Sequence, residues 1–92
     1  MVRWDERKRE ANLRKHGLDF EGCETVFDHP VLTVEDSRSA YGEQRINLLG
    51  WLQGRIVHMT YTERREDLYV ISLREATRHE ARYYFETVSR PS

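Results

Sequence analysis

Residues 54–86 constrain the fold most, because two strand-like runs there lead directly into a helix signature. Residues 56–62 (IVHMTYT) and 68–73 (LYVISL) are rich in β-branched and aromatic residues, which predicts two strands joined by a charged turn at 63–67. Thr77 and Glu80 have capping-box spacing in front of an apolar run. The stretch therefore predicts strand, charged turn, strand and helix.

Arginine marks both breaks in this stretch. Arg64 and Arg65 fall in the turn, and Arg74 falls where the second strand ends. Only two of the fifteen cations in the chain are lysines, Lys8 and Lys15, and the other thirteen are arginines. A guanidinium at the end of a sheet, beside the start of a helix, is suited to hold a phosphate group.

The rest of the chain predicts two helices before the sheet. Asp5 can cap a helix over residues 6–16 that Gly17 ends, and Asp19 can cap a second helix over 20–27. Strands are predicted at 31–35 and 45–52, with a hairpin at 53–54 and a short edge strand at 2–4. We therefore expect an α+β fold with N-terminal helices, a four- or five-stranded antiparallel sheet and a C-terminal helix.

Because side chains alternate along a strand, the residues of each strand can be assigned to a buried face or to an open face of the sheet. The residues expected in the core are Phe20, Cys23, Phe27, Val57, Met59, Tyr61, Tyr69, Ile71 and Leu73. The residues expected on an open polar face are His58, Thr60, Thr62, Ser72 and Arg74. A polar face of this kind is also the ordinary solvated side of a sheet, so the pattern alone does not define a site.

Composition limits the class of protein. We expect the 92 residues to form a single domain, 1–92. The net charge is −1, so the chain is not a uniformly basic nucleic-acid binder. The lone Cys23 excludes an internal disulfide, and no apolar run reaches the roughly 20 residues of a membrane helix. We expect a cytoplasmic protein.

Several common kinds of site are missing from the sequence. The four histidines lack metal-ligand spacing, one cysteine cannot build a zinc site, and there is no phosphate-binding Gly-rich loop. We therefore predict neither a metal nor a cofactor. The remaining Arg, Lys, His, Glu and Tyr side chains suffice for metal-free transesterification of RNA, which needs a base, an acid and cations around the phosphorus.

Five sequence blocks, in order, resemble the BrnT family of toxins. They are Trp4-Asp5 with Lys8 and Asn12, KHGLDF at 15–20, VFDHP at 26–30, YTER at 61–64, and ISLREATRHE at 71–80 followed by Tyr84. The resemblance implies a RelE-like fold and a ribonuclease toxin of a type II toxin–antitoxin system. It also implies an RNA substrate and a BrnA-like antitoxin that neutralises the toxin. The DNA of their operon would be bound only through the complex, and a homodimer and a 2:2 heterotetramer both remain open.

Carried over by position, the resemblance implies a set of site residues. Arg64 and Arg74 would hold the scissile phosphate, and Lys15 or His16 would transfer a proton or contact a second phosphate. The remaining candidates are Glu63 for catalysis and Arg78, Tyr61, Arg65 and Tyr84 for RNA binding. Lys15 also suits the negative end of the helix dipole, and Glu63 suits a solvated turn. Glu66 and Asp67 lie close enough to neutralise the turn arginines, which leaves open which arginine meets the substrate.

Two other functions remain open on the sequence. One is a catalytically inactive module that assembles with a DNA-binding antitoxin as a co-repressor. The other is an RNA-binding accessory protein without sequence preference, which the near-neutral charge disfavours because affinity for a polyphosphate needs positive charge. Activity on RNA separates the ribonuclease from the inactive module.

Overall fold

A computed structural model of the chain describes residues 1–36 and 42–90. Residues 37–41, in the polar segment between the predicted strands at 31–35 and 45–52, and residues 91–92 lie outside the described part. In chain order the elements are β1 (Val2–Trp4), α1 (Glu6–His16), a 3₁₀ helix (Cys23–Asp28), β2 (Val31–Asp36), β3 (Arg45–Leu52), β4 (Arg55–Arg64), β5 (Asp67–Glu75) and α2 (Arg78–Val88). The α+β expectation is confirmed.

The five strands form one sheet in the order β1-β5-β4-β3-β2. Strands β2 to β5 pair antiparallel, as the sequence predicts. The edge strand β1 pairs with β5 in parallel, so the sheet is mixed and not wholly antiparallel. Neither α-helix of the described residues is long and apolar enough to cross a membrane.

Local signals fix the ends of the elements as the sequence predicts. The Asp5 side chain accepts a hydrogen bond from Arg7 N, and Gly17 ends α1 in the left-handed region with φ 71°. Thr77 and Glu80 form the full capping box of α2. Between β3 and β4, Gln53 and Gly54 both have positive φ, at 49° and 89°, which matches the twist of a tight hairpin.

The second predicted helix is wrong in type and position. The structure has a 3₁₀ helix at Cys23–Asp28, and Asp19 accepts from Glu21 N instead of capping an α-helix. A 3₁₀ helix repeats every three residues, so Val26 follows Cys23 into the core and Phe27 does not. The expectation that Phe27 is buried is therefore wrong, whereas Cys23 is buried and its pKa is raised to about 12, chiefly by burial.

A β-bulge in β5 changes which of its residues face the core. Thr60 pairs with Ser72 but Tyr61 pairs with Val70, so Ile71 is one residue extra. Val70 and Leu73 are consequently both buried, whereas Tyr69 and Ile71 are only partly buried. The expectation that simple alternation would bury Tyr69 and Ile71 is wrong, because the extra residue shifts its phase.

Asn12 of α1 takes the place of a neighbouring strand at the edge of β5. Because β1 covers only residues 68–70, the Leu73 backbone has no strand partner on that side. Asn12 Nδ2 donates to Leu73 O at 2.8 Å and to Leu18 O at 3.0 Å, and Leu73 N donates to Asn12 Oδ1 at 3.0 Å. This buried amide attaches α1 to the bulged part of β5.

The two sides of the sheet have different coverings. The core cluster, which includes Leu48, Met59 and Leu73, packs against Phe20, Cys23 and Val26 from the segment around the 3₁₀ helix. We call the opposite side the open face. Helix α2 lies over one end of the open face, where the Tyr84 hydroxyl donates to Pro30 O at 2.7 Å.

Candidate active site

Two rows of cross-strand neighbours form the centre of the open face. The first row pairs Leu49 with His58 and His58 with Arg74. The second pairs Asn47 with Thr60 and Thr60 with Ser72, and Thr60 Oγ1 donates to Asn47 Oδ1 at 2.8 Å. His58, Thr60, Ser72 and Arg74 therefore share one face, as alternation predicts. Thr62 is buried and donates to Gln44 O, so it is not exposed there.

A fork-to-fork ion pair fixes Arg74. Its Nη1 and Nη2 donate to Glu80 Oε1 and Oε2 at 2.8 and 3.0 Å. Glu80 Oε1 also accepts from Thr77 N at 2.9 Å, so one carboxylate holds the arginine and caps α2. Arg74 is the main cause that lowers the pKa of Glu80 to about 2, and the pKa of Arg74 is raised by the same contact. Both groups are charged at neutral pH.

His58 lies next to this pair and is held neutral. Its pKa is lowered first by burial and then by the positive charge of Arg74, while Glu80 acts weakly in the opposite direction. Its Nδ1 is buried and has no hydrogen-bond partner among the described residues. A neutral imidazole beside a guanidinium can accept a proton, which is the requirement for a general base.

Lysine side chains approach the same face from α1. Lys8 and Lys15 are seven residues apart, two helical turns, and therefore lie on one side of α1. Together with His16, Ile71 and Ser72 they line a hollow of about 230 Å³, which we call the Lys15 hollow. The attachment of Asn12 to Leu73 holds this side of α1 against the bulge.

Arg64 occupies the other end of β4. Its Nε and Nη2 donate to Glu43 Oε2 and Oε1 at 3.2 and 2.9 Å, and its guanidinium carbon lies 4.8 Å from the centre of the Tyr69 ring. Arg64, Lys8 and Tyr69 are among the residues around a hollow of about 140 Å³. Arg64 is six residues along β4 from His58, the neighbour of Arg74, and six residues of strand span about 20 Å. One phosphate between both arginines does not fit this spacing while their ion pairs persist.

A protein-family model described as "Ribonuclease toxin, BrnT, of type II toxin-antitoxin system" matches residues 4–80. The chain belongs to the BrnT toxin family. The resemblance of the sequence blocks is thereby confirmed, and membership makes the chain a ribonuclease toxin with an RNA target and an antitoxin partner. No curated protein matches the chain.

The structure of this BrnT toxin separates the predicted site residues into groups. Arg74, Lys15 and His16 lie around the centre of the open face, and Arg64 lies at its far end. Arg78 is the exposed first residue of α2, and Arg65 is exposed in the β4–β5 turn with φ 58°. Nothing in these positions assigns a role to either residue.

Three predicted residues have surroundings that do not suit the roles given to them. Tyr61 is 5% exposed in the core, against Phe27, so its ring cannot stack on a base. Tyr84 is 3% exposed and its hydroxyl is bonded to Pro30 O. Glu63 alternates with Arg64 and therefore lies on the side of the sheet away from the open face. The two rings face inward because aromatic rings gain most from burial.

Sequence reasoning missed Asn47, Lys8 and the pairing of Glu80 with Arg74. Alternation along β3 places Asn47 on the face of the sheet that the buried Leu48 does not use. The seven-residue spacing places Lys8 on the same side of α1 as Lys15. The sequence pattern indicates Glu80 only as a helix-capping residue. Within residues 1–36 and 42–90, no three His, Cys, Asp or Glu side chains group together in a way that could hold a metal ion.

Proposed function

We propose that this toxin cleaves single-stranded RNA in the cytoplasm without a divalent metal, at the centre of the open face. The 2′-hydroxyl oxygen attacks the adjacent phosphorus, the P–O5′ bond breaks, and the products carry a 2′,3′-cyclic phosphate and a 5′-hydroxyl. The observation that supports the proposal is the row that places a neutral His58 against the Arg74–Glu80 pair.

Each step has a group of suitable chemistry nearby. His58 takes the 2′-hydroxyl proton, because its imidazole is neutral and its Nδ1 is already buried, which leaves Nε2 for the exchange. Arg74 stabilises the charge that develops on the phosphorane, and Lys15 adds a second cation from the Lys15 hollow. His16 or Lys15 returns a proton to the leaving 5′-oxygen. Arg64 contacts a different phosphate of the same strand, about 20 Å away.

The antitoxin partner is proposed to be BrnA-like and to neutralise the toxin by covering the open face. A stable contact of this kind should bury more than about 1,000 Å². The toxin has a net charge of −1, so DNA binding and repression of the shared operon belong to the complex and depend on the antitoxin. Co-expression and size-exclusion chromatography should give one joint peak, and separate elution at micromolar concentration would contradict this part.

The ribonuclease mechanism is tested with purified toxin, single-stranded RNA and excess EDTA. We expect cleavage to continue, with 5′-hydroxyl ends and cyclic or 3′-phosphates. His58→Gln should lose most of the activity, whereas His79→Gln, at an exposed histidine of α2, should cleave like the parent. Inhibition by the chelator, 5′-phosphate products, or full activity of His58→Gln would each refute the mechanism.

A further inference from the structure

A hollow of about 390 Å³ lies between α2 and the β2 edge of the open face, next to His58. Its walls include the apolar side chains Leu32, Val34 and Leu49 and the ring of Tyr83. Tyr83 is 56% exposed and Val34 is 67% exposed, so both present apolar surface to solvent. We call this space the α2 hollow.

We propose that the α2 hollow binds the base of the nucleotide whose 2′-hydroxyl attacks, and so determines which base precedes the cleaved bond. The inference rests on the proposed function and deepens it by assigning a base subsite. An apolar cavity with an exposed aromatic ring suits a flat heteroaromatic group, because recognition of unpaired bases relies on stacking. Its position is also suitable, since Glu80, the partner of Arg74, lines it together with His58.

Asn47 provides the means of telling bases apart. Its Oδ1 accepts the Thr60 hydroxyl at 2.8 Å, which orients the amide and leaves the NH₂ group as the part that can meet a ligand in the α2 hollow. An NH₂ donor matches the carbonyl oxygens of guanine, uracil and cytosine, whereas adenine has no carbonyl and offers only ring nitrogens as acceptors. We therefore expect cleavage after these three bases to exceed cleavage after adenine.

The first test measures binding and does not depend on catalysis. The probes are 3′-UMP, 3′-GMP and 3′-AMP, with ribose 5-phosphate as the matched ligand that lacks a base, and the readout is NMR of the Asn47 side-chain amide. The nucleotides should shift that signal and ribose 5-phosphate should not. Tyr83→Ala should weaken nucleotide binding about tenfold, and Tyr83→Phe, which keeps the stacking ring, should restore it.

The second test measures base preference on a random-sequence RNA. Asn47→Asp keeps the acceptor for Thr60 but replaces the NH₂ donor by an oxygen. It should raise the ratio of cleavage after adenine to cleavage after the other bases about tenfold. Gln53→Glu is the matched control for exchanging an amide for a carboxylate. Gln53 is exposed in the β3–β4 turn and does not line the α2 hollow, so the base preference of this variant should match that of the parent.

The outcomes separate this inference from the proposed function. If the parent cleaves no RNA, the proposed function fails, and the NMR titration still decides the base subsite. The base subsite is overturned if nucleotides leave the Asn47 signal unmoved, or if ribose 5-phosphate moves it equally. It is also overturned if Tyr83→Ala abolishes co-elution with the antitoxin while base preference stays unchanged, because the α2 hollow would then be an antitoxin contact.

Discussion

The two ends of the open face each carry an arginine that donates from two guanidinium nitrogens to one glutamate, but their surroundings differ. The Arg74 side chain is 32% exposed and that of Glu80 is 26% exposed, whereas Arg64 and Glu43 are 55% and 34% exposed. Glu80 is also held by the backbone of Thr77 in the cap of α2. The Arg74 end is therefore the more rigid of the two.

This difference indicates different tasks for the two arginines. A guanidinium whose partner is fixed in a helix cap keeps its orientation when a substrate arrives, which favours stabilising a transition state. An exposed pair such as Arg64–Glu43 gains little from its contact and can exchange the carboxylate for a phosphate at small cost. We therefore expect Arg74 to act in catalysis and Arg64 in binding along the strand.

The largest expected effect is the loss of activity in Arg74→Ala. Removing a cation that stabilises a developing charge typically costs about 3 kcal/mol, or on the order of a hundredfold in rate. Arg64→Ala should reduce RNA binding and leave turnover at saturating RNA within about threefold, because a binding contact acts on ground state and transition state alike. Single-turnover cleavage at several RNA concentrations measures both quantities.

Arg74→Lys and melting temperatures complete this comparison. Lysine keeps the charge but lacks the fork that meets both oxygens of Glu80, so it should restore only part of the rate. Both alanine variants should melt within several degrees of the parent. Equal loss of turnover in Arg64→Ala and Arg74→Ala, in folded protein, would show that the two ends do not divide binding and catalysis.

The second prediction compares how much Glu80 and Glu43 each contribute to the stability of the fold. Glu80→Ala removes an acceptor from the cap of α2 and should cost about 1 kcal/mol, which lowers Tm by about 4–8 °C in a domain of this size. Glu43→Ala should change Tm by no more than about 2 °C, because its pair is exposed. Thermal unfolding at pH 7, followed by circular dichroism, measures both changes.

Lowering the pH distinguishes two possible causes of the destabilisation in Glu80→Ala, the lost charge and the lost packing. The folded pKa of Glu80 is about 2 and the ordinary value is 4.5, so its charge stabilises the fold above about pH 4.5. That contribution is lost as the pH falls from 4.5 towards 2. The difference in Tm between the parent and Glu80→Ala should therefore narrow on acidification. A difference that stays constant from pH 7 to 3 would mean that lost packing, not charge, explains the destabilisation.

Much of the fold, including the Arg74 end of the open face, can be predicted from the sequence. Caps at Asp5 and Thr77, the bounds of β3 and the hairpin at 53–54 follow from spacings of a few residues, and the structure confirms them. The row of His58 and Arg74 also follows from alternation, because both lie on one side of the bulge. Local patterns therefore suffice for most of the fold and for the core of the candidate site.

What the sequence did not predict depends on single residues or on distant partners. Asn12 bonds to Leu73, 61 residues away, and no local pattern indicates that contact. The extra residue in β5 is visible only in the register of paired strands. A 3₁₀ helix and an α-helix both place side chains at i and i+3 on one side, so the burial of Phe20 and Cys23 fits either type. Only the exposure of Phe27 distinguishes the two helix types.

The smallest expected effect is a pH dependence of stability at the Arg74 end of the open face. Its cause is the titration of His58, the cross-strand neighbour of Arg74. The folded pKa of His58 is lowered by burial and by Arg74, with Glu80 opposing, so the unfolded chain binds this proton more readily. Stability should accordingly fall as the pH decreases below about 6.5, the ordinary histidine value. His58→Gln cannot take up the proton and should flatten the Tm profile between pH 7.5 and 5.5, whereas the exposed control His79→Gln should keep the slope of the parent. Cleavage by the parent should decline at lower pH than the onset of this slope, as the pH falls through the lowered folded pKa of His58, because a protonated imidazole cannot accept the 2′-hydroxyl proton. A slope that survives in His58→Gln would place the titrating group elsewhere and remove the support for a neutral base at this end of the open face.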